Sequence, residues 1–196
     1  RHGARMERRE LVVVEVGRDE GLRREFVVEL AYVVEAHATA LEPAPVWAEI
    51  VPDRGHRHTA LAQQPATKLG AIAVREAMKR ANVSGEQVDE VILGNVLSAG
   101  LGLNPARVAA LEGGVAKEKP SFGVNKACGS GLKAAILAAQ SVLLGDADIV
   151  VAGGMEAMSS APYLLKKARY GVRMGHDQLI DSMIADGLTC PITLVH

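Results

Sequence analysis

Residues 121–145 read SFGVNKACGSGLKAAILAAQSVLLG, and this segment carries the clearest evidence for the fold class. Ser121–Lys126 has the composition of a short strand. Leu132–Leu144 is apolar on nearly every side, as is typical of a helix buried inside a larger body. Between them lie a cysteine and two glycines, which predict a sharp turn, and Gly145 is placed to end the helix. A strand, a tight turn and a buried helix in this order predict an α/β fold.

The same alternation continues on both sides of this stretch. Val91–Leu93 and Ile149–Ala152 are short apolar runs, typical of strands that are buried on both faces of a parallel sheet. A helix is predicted to begin at Pro105, run to Leu111 and end at a pair of glycines. We therefore predict an α/β protein in which helices are layered on a sheet.

A further helix is predicted after Pro65. Thr67 is a suitable cap, and Asn82 follows as a stop. The residues expected on its apolar face recur at helical spacing. They are Leu69, Ile72, Ala73, Ala77 and Ala81.

Cys128 is the residue at which we expect chemistry. It lies where the predicted turn meets a helix N-terminus, and the partial positive charge of the helix dipole favours a thiolate there. Lys126 and Lys133 flank it and act in the same direction if they point inward. Backbone N–H groups at such a turn also form a concavity suited to a developing oxyanion. The residues alone leave open the alternative of a small, buried and unreactive cysteine.

Gly129–Ala134 also matches the glycine-rich fingerprint of dinucleotide-binding proteins. That site requires an acidic residue about 20 positions further on, at the end of the next strand. Asp146 and Asp148 come before strand 149–152, and Glu156 comes too late. The dinucleotide interpretation is therefore disfavoured.

Composition excludes several classes of function. The 22 basic and 23 acidic residues give a net charge of −1, and only six residues are aromatic, so a nucleic-acid partner is not expected. No uninterrupted apolar run reaches the length of about 18 residues that a membrane span needs. Two cysteines fit a reducing compartment, and we predict a cytoplasmic protein. Cys128, Cys190 and the histidines lack the paired spacings of a zinc site, so no metal is predicted.

The first 59 residues differ from the rest. They contain nine Arg and no Lys, whereas residues 60–196 contain five Arg and eight Lys. Leu11–Val16 is a possible strand, and Phe26–Val34 is ambiguous between strand and helix. We predict an unrelated or frame-shifted segment at 1–59 that packs poorly against an α/β structure at 60–196. A frame slip is one explanation, because Arg54–His58 can be encoded by codons whose neighbouring frame reads Val-Val-Ile-Val. The rival explanation is a real fusion or a divergent N-terminal element whose Val12–Val16 run supplies the sheet.

Four segments carry a family resemblance. NKACGSG at 125–131 resembles the nucleophile segment of thiolases, the acetyl-CoA acetyltransferases, and GGMEAMSSAPY at 153–163 resembles their second signature. Residues 91–110 and 173–189 are also similar to members of the family. The resemblance spans residues 60–196, and the related ketoacyl synthases lack both the CGSG turn and the GGMEAMSSAPY segment.

The resemblance implies a layered αβα thiolase-type fold and a mechanism. Cys128 is then the nucleophile that takes an acyl group from acyl-CoA, and its backbone N–H donates to an oxyanion hole. The acyl group passes to a second acetyl-CoA, or, in reverse, CoA cleaves a 3-ketoacyl-CoA. Residues 162–196 begin the loop region for CoA binding and tetramerisation, in which Leu188 and His196 match substrate-channel positions. The alternatives are a plain packing role for Leu188 and a solvated, frayed position for His196. CoA and acyl-CoA are substrates, so no cofactor is implied, and the intact family forms homotetramers or dimers.

Several family features have no counterpart in this sequence. The activating His, the Asn of a second oxyanion site and the second, acid/base Cys come from a C-terminal half that is absent here, and residues 1–59 replace the first family strand. Cys190 is not that second Cys, and His176 is expected to be a solvated loop residue. We predict that both ends are cut, and we expect an inactive fragment because these catalytic groups are missing. The alternative is a non-catalytic thiolase-like module that binds CoA or a partner.

Overall fold

The computed structural model describes residues 9–16, 29–36 and 64–194. His196 lies outside the described residues. The main elements follow the chain order β1, β2, α1, β3, α2, β4, α3, β5. The strands are β1 (Arg9–Val16), β2 (Glu29–Ala36), β3 (Glu90–Gly94), β4 (Ser121–Val124) and β5 (Ile149–Gly154). The helices are α1 (Ala66–Ala81), α2 (Pro105–Gly113) and α3 (Ser130–Leu144).

These strands form one mixed sheet in the order β1-β2-β5-β3-β4. β3 lies parallel to both β4 and β5, and Ile92 is in register with Phe122 on one side and Ala152 on the other. β2 runs antiparallel to β5, and β1 runs antiparallel to β2. The predicted α/β class is therefore confirmed, with a parallel core that two antiparallel strands extend.

Helices cover both faces of this sheet. One buried cluster joins α1 and α2 to Val91, Leu93 and Val151, and a second joins α3 to Ile92 and Val150. Successive strand residues enter opposite clusters because side chains alternate across a sheet. The result is a three-layered arrangement of helix, sheet and helix.

The expectation that residues 1–59 pack poorly against the rest is wrong for two stretches. Glu29–Ala36 forms a ladder with β5, from Leu30 opposite Gly154 to Glu35 opposite Ile149. Arg9–Val16 then pairs with Glu29–Ala36 as the edge strand. The composition of residues 1–59 favoured poor packing because it suggested a separate origin for the segment. A strand beside β5, however, forms hydrogen bonds with the N–H and C=O groups that the edge of β5 would otherwise expose.

α3 has a buried side and an exposed side. Ala134, Ala138 and Val142 face the sheet, whereas Leu132 and Leu143 are 65% and 80% exposed. The predicted helix is thus confirmed, but in the described chain it is not buried all round. By length and composition alone, the window Ala127–Leu144 is apolar enough to cross a membrane, so the sequence expectation that counted only uninterrupted runs missed it. Core helices of soluble proteins pass the same test, so this is weak evidence for a membrane span.

Local predictions at the helix ends mostly hold. Asn82, Gly114 and Gly145 each take the left-handed conformation that ends a helix, and Pro105 occupies the first turn of α2. Asn104 caps α2, since its Oδ1 accepts from the Arg107 N–H at 3.1 Å.

Three details were predicted wrongly. α1 begins one residue before Thr67, whose side chain is buried within the first turn and makes no capping hydrogen bond. Ile72 was expected on the apolar face but is 38% exposed, because the buried face of α1 includes Gly70, Ala71 and Val74 instead. β4 ends at Val124, two residues before the predicted end.

Candidate active site

The segments of chemical interest meet at one edge of the sheet. Because β3, β4 and β5 are parallel, their carboxyl ends lie on the same side. Asn95 follows β3, the turn containing Cys128 follows β4, and Glu156 follows β5. In open α/β sheets this edge is where ligands bind.

Cys128 lies at the start of α3, directly before Gly129, the helix N-cap, and is exposed. Hydrogen bonds close the turn around it. Ser130 Oγ accepts from the Lys126 N–H at 2.8 Å and donates to the Ala127 carbonyl at 2.6 Å, and the Gly129 N–H donates to the Lys126 carbonyl at 3.0 Å. None of these bonds uses the Cys128 N–H. Because Cys128 is exposed, the alternative of a buried cysteine is excluded.

Backbone conformation makes this turn sharp. Ala127 has a φ of 46°, in the left-handed region where residues other than glycine are uncommon. Its N–H donates to Asn125 Oδ1 at 3.0 Å, which helps to hold the residue there. Non-glycine residues in this region are concentrated at functional sites, where the surrounding structure maintains the strain.

Glycines let the head of α3 approach the sheet closely. A Cβ added to Gly94, the last residue of β3, would lie 2.4 Å from the Ser130 carbonyl carbon and 2.5 Å from the Gly131 nitrogen. A Cβ on Gly154, the last residue of β5, would lie 3.2 Å from Gly131 Cα. Small residues at the strand ends therefore allow the nucleophile turn to sit directly on the edge of the sheet.

Asn95 and Glu156 form a polar pair beside this contact. Asn95 Nδ2 donates to Glu156 Oε1 at 2.8 Å and to the Met155 carbonyl at 3.2 Å. The Val96 and Leu97 N–H groups donate to Glu156 at 2.8 and 3.1 Å. Burial raises the pKa of Glu156, and these hydrogen bonds oppose that rise. Within the described chain, the buried Asn95 Oδ1 has no hydrogen-bond partner.

Sequence reasoning missed this pair. Glu156 was considered only as an acid for a dinucleotide ribose, and Asn95 was not considered. A usable signal was present, since a polar residue follows each of two apolar strands. If those strands are parallel, such residues meet at one edge of the sheet.

Leu188 belongs to a segment that packs beside the loop after β3. It ends the π-helical turn Met183–Leu188 and is 46% exposed. A Cβ on its neighbour Gly187 would lie 3.1 Å from Leu97 Cδ2, so this turn contacts the loop after β3. Ser182 anchors the start of the turn through a hydrogen bond of 2.5 Å to the Pro162 carbonyl. The role of Leu188 in substrate binding stays a prediction.

Other candidate groups lie apart from this arrangement. His176 is exposed, as expected of a solvated loop residue. Cys190 is half-buried, and hydrogen bonds with Thr193, first its side chain and then its backbone, lower the pKa of the Cys190 thiol. Among residues 64–194, no group of three or more His, Cys, Asp and Glu side chains is arranged to hold a metal ion.

Comparisons with known proteins identify a family and several relatives that this chain resembles. A family model described as "Thiolase, N-terminal domain" matches residues 51–196. A probable acetyl-CoA acyltransferase of Staphylococcus epidermidis is 58% identical over 125 residues, which are 64% of this chain and 32% of that protein. An acetyl-CoA acetyltransferase of Cupriavidus necator is 55% identical over 128 residues, 65% of this chain and 33% of that protein. A probable acetyl-CoA acyltransferase of Staphylococcus aureus is 52% identical over 125 residues, which are 64% of this chain and 32% of that protein.

The chain thus spans about a third of the length of the curated relatives that it matches. The family match covers the sheet edge, the turn that holds Cys128 and the Asn95–Glu156 pair. Since it extends over most of the sequence, the chain belongs to the thiolase family.

Proposed function

We propose that this chain provides the nucleophile of a thiolase-type acyltransferase. The Cys128 thiolate attacks the carbonyl carbon of an acyl-CoA thioester, and the carbonyl electron pair moves onto oxygen. When that pair returns, the C–S bond to CoA breaks, CoA leaves as a thiolate and takes up a proton. The acyl group remains on Cys128 as a new thioester.

One observation carries this proposal: an exposed thiol at the N-terminus of a helix that lies against the carboxyl edge of a parallel sheet. The helix dipole favours the thiolate before attack and the oxyanion during it. The Cys128 N–H is not used by the hydrogen bonds that close the turn, and we assign it to the oxyanion hole. A thioester is an apt substrate because its leaving thiolate is stable, so that little acid catalysis is needed in this first half-reaction.

The second half-reaction requires more than this turn. Transfer to the α-carbon of acetyl-CoA needs a base to remove a proton from that carbon, and thiolysis needs a base to activate the CoA thiol. Within residues 64–194 the one histidine is His176, which is exposed on a loop. We propose that the whole enzyme condenses two acetyl-CoA or thiolyses 3-ketoacyl-CoA in fatty acid metabolism, and that the base and the second cysteine come from a C-terminal half.

Further assignments follow from the same proposal. The substrates are acyl-CoA and CoA, no separate cofactor takes part, and the working enzyme is a dimer or tetramer. Leu188 and His196 line the acyl-CoA channel, and residues 162–196 begin the CoA-binding loop region. The protein acts in the cytoplasm, away from membranes and nucleic acids. We also propose that residues 1–59 have a different origin from residues 60–196, which is compatible with their supplying two strands to the sheet.

Release of CoA tests the proposal. On mixing the 196-residue chain with acetyl-CoA, chromatography should detect at most one CoA released per chain, with none from a Cys128→Ala variant. Steady-state thiolysis of acetoacetyl-CoA should be absent, because general acid–base catalysis contributes about 10²–10⁴-fold.

Two results would count against it. CoA binding without release would favour the non-catalytic module. Turnover at about 1–10³ per second would show that the chain needs no further half.

A further inference from the structure

Glu156 holds the segment that follows β3, and the proposed reaction makes no direct use of this carboxylate. Oε2 accepts from the Val96 N–H at 2.8 Å, and Oε1 accepts from the Leu97 N–H at 3.1 Å and from Asn95 Nδ2 at 2.8 Å. Three consecutive residues that follow β3 are therefore tied to a single side chain that follows β5. We refer to Glu156 with Asn95, Val96 and Leu97 as the clamp.

The clamped segment bears directly on the nucleophile turn. The Asn95 N–H donates to the Val124 carbonyl at 3.0 Å, and Val124 is the last residue of β4 before the turn. Gly94 lies against the backbone of Ser130 and Gly131, the first two residues of α3. A movement of residues 94–97 would thus reach the turn at both ends, through β4 and through the head of α3.

We propose that Glu156 is the positioning residue for the Cys128 nucleophile. By fixing residues 95–97, it holds the end of β3 in the position on which the turn that contains Cys128 packs. It touches neither the thiol nor the substrate in this role. That this positioning serves acyl transfer rests on the proposed function. The hydrogen bonds of the clamp do not depend on that function.

A purely structural role makes a different prediction. Burial raises the pKa of Glu156, so its ionised form is less favourable here than in water. An uncharged glutamine of the same shape avoids that desolvation, and a residue kept for stability alone should tolerate it. Glutamine has one acceptor oxygen in place of two, however, and its NH₂ group would face a backbone N–H of the clamp. The Glu156→Gln variant should therefore fold but hold the segment in a shifted position.

The test is the rate at which iodoacetamide alkylates Cys128 as a function of pH, read from the Cys128 peptide by mass spectrometry. Removal of a negative charge alone would make a nearby thiolate easier to form and shift the midpoint of the profile to lower pH. Displacement of the turn would weaken the contribution of the helix N-terminus and shift the midpoint to higher pH. For Glu156→Gln we expect the higher midpoint and alkylation slowed about threefold to tenfold at neutral pH.

Two further variants make the comparison specific. Glu90→Gln removes a carboxylate from the opposite end of β3 and should leave the alkylation profile unchanged. Glu156→Asp keeps the charge on a side chain one methylene shorter, and its rate should fall between the other two. Cooperative thermal unfolding checks that each variant is folded.

An unchanged Glu156→Gln profile, or a midpoint moved to lower pH, overturns the proposal. If that variant does not fold, Glu156→Asp decides by the same criterion, with an unchanged profile as the contrary result. Failure of both to fold also overturns it, since Glu156 would then support the whole fold. Iodoacetamide requires no acyl-transfer chemistry, so failure of acetyl-CoA to acylate the unsubstituted chain would contradict the proposed function and leave this comparison valid.

Discussion

Gly94 and Gly131 lie so close that a Cβ added to Gly94 would be 2.5 Å from the Gly131 nitrogen. This contact joins the end of β3 to the first turn of α3, directly behind Cys128. Both partners are backbone, so no flexible side chain can move aside to relieve an overlap. The spacing between sheet and nucleophile turn therefore depends on glycine at residue 94.

Gly94→Ala should both destabilise the chain and slow alkylation of Cys128. Overpacking of this kind typically costs about 1–3 kcal/mol, which thermal unfolding will detect. Gly123→Ala is the matched control, because a Cβ there would lie 3.7 Å from the Leu93 carbonyl oxygen, an ordinary contact. Equal stability of the two variants would contradict the close packing described for Gly94.

Ala127 gives a prediction about backbone strain. Its φ of 46° favours glycine and disfavours branched side chains. Ala127→Gly should change the free energy of unfolding little, whereas Ala127→Val should lower it by at least about 1 kcal/mol. Denaturant unfolding of both variants measures the difference. A valine variant as stable as the glycine variant would show that residue 127 does not have this conformation.

The two thiols should differ in their rate of alkylation. Cys128 is exposed and lies at a helix N-terminus, whereas Cys190 is half-buried, so Cys128 should be labelled first near neutral pH. Time-resolved peptide mapping, with Cys128→Ala and Cys190→Ala as references, measures both rates. Faster labelling of Cys190 at neutral pH would argue against Cys128 as the reactive thiol.

Glu90 predicts a pH dependence of stability. Burial, assisted by the charge of Asp146, raises the pKa of Glu90 in the folded chain. A raised carboxyl pKa means that the folded state binds the proton more tightly, so stability is lost as the pH rises through the folded pKa. Glu90→Gln should match the unsubstituted chain in acid and gain in melting temperature relative to it as the pH approaches 7. A constant difference across that range would be evidence against this titration.

The sheet core and the reactive turn could be predicted from the sequence because their signals are local. Val91–Leu93 and Ile149–Ala152 are apolar runs bounded by breakers, and both lie within strands. Cys128 between Lys126 and Gly129 lies at the head of α3 as expected. Each of these conclusions depends on a few neighbouring residues and on general preferences of strands, turns and helix ends.

What could not be predicted depends on contacts between distant residues. The pairing of Glu29–Ala36 with β5 joins segments more than a hundred residues apart, and composition suggested a foreign segment there. The Asn95–Glu156 hydrogen bond likewise becomes visible only once β3 and β5 are known to be parallel neighbours. Ile72 was misplaced because the helical pattern alone does not fix which flank of α1 meets α2.

Mapping of the acyl group shows directly which residue of the chain is acylated. The 196-residue chain is incubated with isotopically labelled acetyl-CoA, quenched in acid and digested, and the labelled peptides are identified by mass spectrometry. We predict one acetyl group, on Cys128, that hydroxylamine removes as it does a thioester and that is missing from Cys128→Ala. Label on Cys190 or on lysines with none on Cys128 would contradict the assignment of Cys128 as the nucleophile.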